Sequence, residues 1–143
     1  MTSRRDWLLV WLPAMYPLAS AGAEASATTI RGKLVQASGK DPALEAKEGL
    51  YTLGGDVDTV GVLKDTRLAG ETFELKGKFD GAGTFRVDPI HTRAMRVLKN
   101  GKALLVTYWC EVCSIRTYTP GICWCCQEYT ELDLRENLPT DPQ

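Results

Sequence analysis

From Thr28 onward apolar and polar residues exchange places at short intervals, and the interval is mostly two. It is strictest from Thr72 to Phe79, where Phe73, Leu75, Gly77 and Phe79 fall on one face and Thr72, Glu74, Lys76 and Lys78 on the other. That pattern predicts a strand with one buried and one wet side. Asp80-Gly81-Ala82-Gly83 then predicts a turn into a strand at Thr84 to Val87. Beyond Asp88-Pro89, the run Ile90 to Leu98 is expected to pair with Ala103 to Trp109 across Asn100-Gly101, because an Asn-Gly pair accepts the positive φ angles of a tight hairpin. Upstream, Thr28 to Ala37 reads as a strand closed by Gly39-Lys40-Asp41-Pro42, and Leu50 to Leu53 as another closed by Gly54-Gly55-Asp56. Only Asp58 to Leu68 departs from the period of two. Val60, Leu63 and Leu68 suit a short helix there, with Asp58 or Thr59 as cap and Gly70 as stop.

Short strands with one intervening helix predict an all-β fold of small α content closed into a small barrel. The order of elements from Thr28 to Trp109 resembles the OB-fold, a five-stranded barrel plugged by a helix between its third and fourth strands. The resemblance implies an OB-like β-barrel over residues 26–109, followed by a distinct Cys-rich extension over residues 110–143.

The start of the chain has another character. Arg4 and Arg5 precede an apolar stretch from Trp7 to Ala19, and small residues follow through Ala27. Charge, apolar run and Ala-x-Ala sites in that order predict a secretory signal over residues 1–25. The apolar run is shorter than the ~20 residues a spanning helix needs and is broken by Pro13 and Pro17, so no retained membrane anchor is expected. Ser3-Arg4-Arg5-Asp6-Trp7-Leu8-Leu9 resembles the twin-arginine export signal, which implies passage of an already folded protein; an ordinary Sec signal is the alternative. Either route predicts a periplasmic or secreted protein, with about 116 to 120 residues left after cleavage, enough for one domain.

All five cysteines of the chain lie in the extension, at Cys110, Cys113, Cys123, Cys125 and Cys126. Cys110, Cys113, Cys123 and Cys126 form two Cys-x2-Cys pairs separated by nine residues, the spacing at which two tight turns offer four sulfurs to one tetrahedral ion. Cys125 could replace Cys126 in the second pair, so one thiol is surplus in either register. Zinc is the expected metal, bound for structural reasons. Copper(I) or an iron-sulfur centre would also accept these soft ligands, and two plain disulfides would leave a fifth cysteine unpaired. Trp109-Cys110-Glu111-Val112-Cys113 has the form of a thioredoxin-like Trp-Cys-x-x-Cys, but Ser114 to Gly121 is β-branched and turn-forming and gives no helix to activate the first thiol. The tail, with Tyr108-Trp109-Cys110-x2-Cys113 and Cys123-x-Cys125-Cys126-Gln127-Glu128, resembles uncharacterised secreted bacterial proteins over residues 88–135. That resemblance implies metal binding and no particular reaction.

His91 is the only histidine, and a fifth ligand, a base beside Asp88 and a hydrogen-bonded or solvated strand residue are its three readings. No nucleophile with base and orienting carboxylate stands out, so the reading leans away from an enzyme. Charge adds one asymmetry. Residues 76–102 hold Lys76, Lys78, Arg86, Arg93, Arg96, Lys99 and Lys102 against Asp80 and Asp88, whereas the acidic residues of the extension outnumber Arg116 and Arg135. An acidic polymer or another envelope protein is the partner this suggests, while export argues against nucleic acid. The function expected from sequence is therefore an exported metal-binding accessory module, with a copper-handling or thiol-redox protein as the alternative.

Overall fold

The computed structural model describes residues 27–81 and 83–136; the export segment expected at residues 1–25 lies outside them. In chain order the strands are β1 (Thr28–Val35), β2 (Ala43–Ala46), β3 (Gly49–Gly54), β4 (Thr72–Phe79), β5 (Thr84–Val87), β6 (Met95–Lys99), β7 (Lys102–Cys110), β8 (Ile115–Thr117) and β9 (Glu131–Arg135). Helix α1 (Val57–Leu63) separates β3 from β4, and a single helical turn, α2 (His91–Ala94), separates β5 from β6. No helix among the described residues is long and apolar enough to cross a membrane.

Strands β1 to β5 close on themselves. β1 pairs β2, β2 pairs β3, β3 runs parallel to β5, β5 pairs β4, and β4 returns to β1. This is the small all-β barrel expected, OB-like in carrying α1 between its third and fourth strands. Closure needs glycine at two places where a strand has neighbours on both sides. Gly32 is paired to Phe73 and Ala46, and Gly77 to Thr28 and Val87. A Cβ on Gly32 would overlap the Glu45 carbonyl oxygen, and one on Gly77 that of Arg86. The barrel is filled by Leu34, Leu44, Phe73, Leu75 and Phe85, and α1 supplies Val62 and Leu63, all essentially without solvent exposure. Burial of this kind, at about 1.5–3 kcal/mol per large side chain, is what drives the fold of this half.

Several boundaries differ from the sequence expectation. The helix expected over Asp58 to Leu68 ends at Leu63, and its cap is Asp56, which accepts from the Thr59 amide at 2.8 Å, in place of Asp58 or Thr59. Asp65 then caps a separate 3-10 turn (Thr66–Leu68) by accepting from the Arg67 amide. Phe79, expected on the buried face, is 47% exposed, because β4 reaches the barrel mouth there and the ring packs edge-on against Tyr51 and Phe85 instead of entering the core. The strand expected from Ile90 forms only from Met95. β5 already occupies the edge of β4 at Gly77 to Phe79 and β6 can pair only with Phe73 to Leu75, so the chain between them steps outward through α2. Ile90 enters that step at φ 67°, a conformation that a β-branched residue adopts under strain.

β7 belongs to two sheets. Its first part pairs β6 and so continues the barrel wall, while Leu105 to Cys110 pairs β8 on one side and β9 on the other. Tyr108, fully buried, is shared between the barrel core and this second sheet.

Candidate metal centre

The Cys-rich segment is two hairpins whose tips face each other. In the first, β7 and β8 are joined through Glu111 to Ser114, with Cys110 paired to Ile115. In the second, Ile122 pairs Tyr129, the Cys123 amide donates to the Glu128 carbonyl at 2.7 Å, and the Gln127 amide donates to the Cys123 carbonyl at 2.9 Å. Thr130 clamps the base of this hairpin with its amide and its hydroxyl, both donating to the Gly121 carbonyl. The residue after the second cysteine of each pair has a positive φ: Ser114 at 52° and Gln127 at 65°. That left-handed step turns the chain back on itself, so that the amides behind each leading cysteine point at its sulfur. The two tips thus repeat one construction, Cys110 with Cys113 and Cys123 with Cys126.

The four sulfurs of Cys110, Cys113, Cys123 and Cys126 lie within 4.8 Å of one another, with Cys110 and Cys123 buried and Cys113 and Cys126 half-buried. Cys110 Sγ and Cys126 Sγ, one from each tip, are 3.5 Å apart. A disulfide needs about 2.0 Å. A tetrahedral zinc with ~2.3 Å bonds spreads its sulfurs about 3.8 Å apart, so the spacing suits a shared cation. Of the two registers the sequence leaves open, the four sulfurs that converge are those of the one with Cys126; Cys125 is exposed and not among them.

Electrostatics of the cluster point the same way. At Cys123 the amides of Cys126 and Cys125 face the sulfur and pull the thiol pKa down to about 7. Cys110 receives the Cys113 amide at 3.5 Å, but burial and the sulfurs of Cys126 and Cys123 outweigh it and its pKa is raised. Cys113 is raised strongly, first by the neighbouring Cys125 thiol and then by burial. Cys123 thus ionises readily while Cys110 and Cys113 resist, as crowded thiols do until a cation offsets their charge.

His91, a candidate fifth ligand, stands apart from the four sulfurs. It is buried in α2, and its Nε2 lies 2.7 Å from the Tyr118 carbonyl oxygen, where it braces the connection between the two tips. Trp109 likewise has a structural post. The Arg116 guanidinium sits over its ring, 4.9 Å from the centroid, and the chain after Cys113 enters β8 rather than a helix.

Two supporting clusters carry no motif in the sequence. Arg116 donates to Asp133 Oδ2 at 2.8 Å and to Thr107 Oγ1 at 2.6 Å, tying β7, β8 and β9 together, and Arg135 donates to the same carboxylate. Arg67 forms a forked pair with Asp65 and also donates to the Thr130 carbonyl at 2.9 Å. It therefore reaches from the barrel to the residue that clamps the second tip. Burial alone would raise the Asp65 pKa, but the Arg67 hydrogen bonds prevail and hold it below the ordinary carboxylate value. Asp133 is lowered likewise, its burial outweighed by Arg135 and Arg116. The Tyr108 hydroxyl is buried beside Asp65, and that burial together with the Asp65 charge raises its pKa far beyond the ordinary phenol value. Alternation could have suggested β9 through Leu132 and Leu134; nothing local marks Arg67.

Comparison with protein-family models, with curated proteins and with solved structures gives no match to this chain.

Proposed function

We propose that this protein is an exported binding or accessory module whose C-terminal hairpins hold one structural zinc ion through Cys110, Cys113, Cys123 and Cys126. The observation that carries the reading is the convergence of four sulfurs from two matching tips, each leading sulfur faced by amides. Closed four-cysteine sites of this build are structural rather than catalytic, because no ligand position is left for water or substrate. Zinc is favoured over copper(I) by four sulfurs in one compact group, where copper(I) is content with fewer. Export rests on the arginine pair, the apolar run and the small residues at the start of the sequence, and on the resemblance of the tail to secreted bacterial proteins.

Elemental analysis and thiol counting on one sample test the reading. One zinc per chain is expected, with a single thiol, Cys125, reacting in the native protein and five after chelation in denaturant. Metal-free protein with its sulfurs joined as cystines would sink it. The second reading, copper handling or thiol redox chemistry, is favoured by the contact of the exposed Cys125 with Cys113. It requires copper in the purified protein, or thiols that cycle reversibly while the barrel stays folded.

A further inference from the structure

Cys125 is the one cysteine outside the four-sulfur group, and its position at the second tip offers a chemistry that the group itself does not use. It is exposed, whereas Cys113 and Cys126 are half-buried and Cys110 and Cys123 are buried. A dissolved oxidant therefore meets Cys125 first, since the susceptibility of a thiol follows its access. Across the gap between the tips stands Cys113. Its sulfur lies within 4.8 Å of those of Cys123 and Cys126, the two cysteines that bracket Cys125 in the chain. Cys125 is also the neighbour that acts most strongly on the Cys113 thiol.

A second pair spans the same gap, with Cys110 Sγ and Cys126 Sγ 3.5 Å apart. The two pairs are nested, Cys110 and Cys126 enclosing Cys113 and Cys125 in the chain, so they stand like successive rungs between facing hairpins and one bond does not bar the other. Each would tie the first tip to the second, as a shared cation would. Cys123 is the sulfur this pairing leaves over, and it is 1% exposed. The five thiols can thus supply either four ligands or two cross-links between the same two tips.

We propose that Cys125 is an oxidative modification site, through which a hydroperoxide converts the metal-holding tips into disulfide-linked ones, with Cys113–Cys125 the first bond to form. Hydrogen peroxide transfers an oxygen to the Cys125 sulfur, which becomes a sulfenic acid as water is released. The Cys113 sulfur attacks the Cys125 sulfur; the S–S bond forms, the S–O bond breaks, and hydroxide leaves and is protonated by solvent. Two sulfurs have then given up two electrons, and one peroxide has become two waters. Three sulfurs remain where a closed site takes four, so the cation is released. A second peroxide oxidises half-buried Cys126, and Cys110 closes on it by the same steps. The tips stay joined after the metal has gone. The proposal rests on the zinc reading for its starting state.

Titration of the zinc-loaded protein with hydrogen peroxide tests it, with released zinc followed by a coloured chelator, thiols counted in denaturant and disulfides located by peptide mapping. The five thiols are expected to fall to three as zinc leaves and then to one, with Cys113–Cys125 found first, Cys110–Cys126 second and Cys123 still reduced. Cys125→Ser, at an exposed position, should load zinc as the natural protein does and release it under peroxide at least about tenfold more slowly. Unchanged release in Cys125→Ser, a first disulfide other than Cys113–Cys125, a bond between neighbouring Cys125 and Cys126 included, or zinc retained while Cys125 is oxidised would overturn the proposal. Should the variant fail to load zinc, the map of the natural protein decides alone. Protein that holds no zinc removes the metal reading, and its reduced form still decides the modification site: Cys113–Cys125 as the first bond under peroxide keeps it, and any other first bond removes it.

Discussion

The barrel and the Cys-rich sheet are built from the same chain by different means. The barrel encloses Leu34, Leu44, Phe73, Leu75 and Phe85 with almost no solvent contact, whereas the residues buried between Cys110 and Arg135 are two cysteines and Thr130. Leu132 and Leu134 of β9 are only half-buried, and they lean on the barrel core. A three-stranded sheet with so little apolar area does not stand alone in water. What would substitute for a core is the cation of the proposed site, supplemented by the Arg116–Asp133 and Arg67–Asp65 pairs. Apolar packing tolerates the loss of one contact by degrees; a tetrahedral site loses its geometry with one ligand.

The largest effect that would break this contrast is at the proposed metal site. Cys123→Ser, or chelation of the native protein, is expected to remove stabilisation on the order of 10 kcal/mol from the second sheet. Amide hydrogen exchange should then lose protection at Ile115 to Thr117 and Glu131 to Arg135 and keep it at Phe73 and Leu75. Equal loss in both regions would show that the two halves share one stabilising principle. Next, Phe73→Ala is expected to cost about 3–5 kcal/mol in urea unfolding, with zinc content unchanged in whatever fraction remains folded.

Asp65→Asn probes the seam. It weakens the forked pair with Arg67, and a loss of about 1.5–3 kcal/mol is expected, since a charged partner is involved. The same residue sets part of the acid response. Asp65 and Asp133 have folded pKa values below the ordinary 3.8, so the stability they contribute is complete above pH ~4 and is lost as pH falls through the lowered values. Thermal unfolding between pH 5 and pH 2 should therefore steepen in the natural protein and flatten in Asp65→Asn. A pH profile identical in both would remove Asp65 from the account. The smallest expected change is a gain. Ile90→Asn places a residue that accepts left-handed φ where a β-branched one is strained, and should raise stability by up to about 1 kcal/mol, read as a higher urea midpoint.

The same contrast explains what could be read from the sequence. β4 and the β6–β7 hairpin are legible because alternation and Asn100-Gly101 are local signals that tertiary structure reinforces. β2 is not: Ala43-Leu44-Glu45-Ala46 has a helix-like composition and a single fully buried side chain, and it is a strand only because β1 and β3 flank it. The outward step at Ile90 is also invisible locally, since it follows from competition between β5 and β6 for one edge of β4. At the candidate metal centre, cysteine spacing suggested the four sulfurs that converge, because a tip of four residues is determined by nearby backbone. His91 meets the Tyr118 carbonyl through a contact 27 residues away in sequence, and Arg67 meets Thr130 across 63; neither has a periodic or spacing signature.

The continuity of β7 bears on dissection of the molecule. β9 begins to pair at Leu105, five positions before Cys110, and Val106 and Tyr108 on the same strand point into the barrel's apolar interior. A peptide cut to retain the four sulfurs would have to include those side chains and would expose them to water, while a barrel trimmed ahead of them would lose two side chains that pack on its core. Domain exchange at this junction should succeed only when the strand travels together with both of its neighbours.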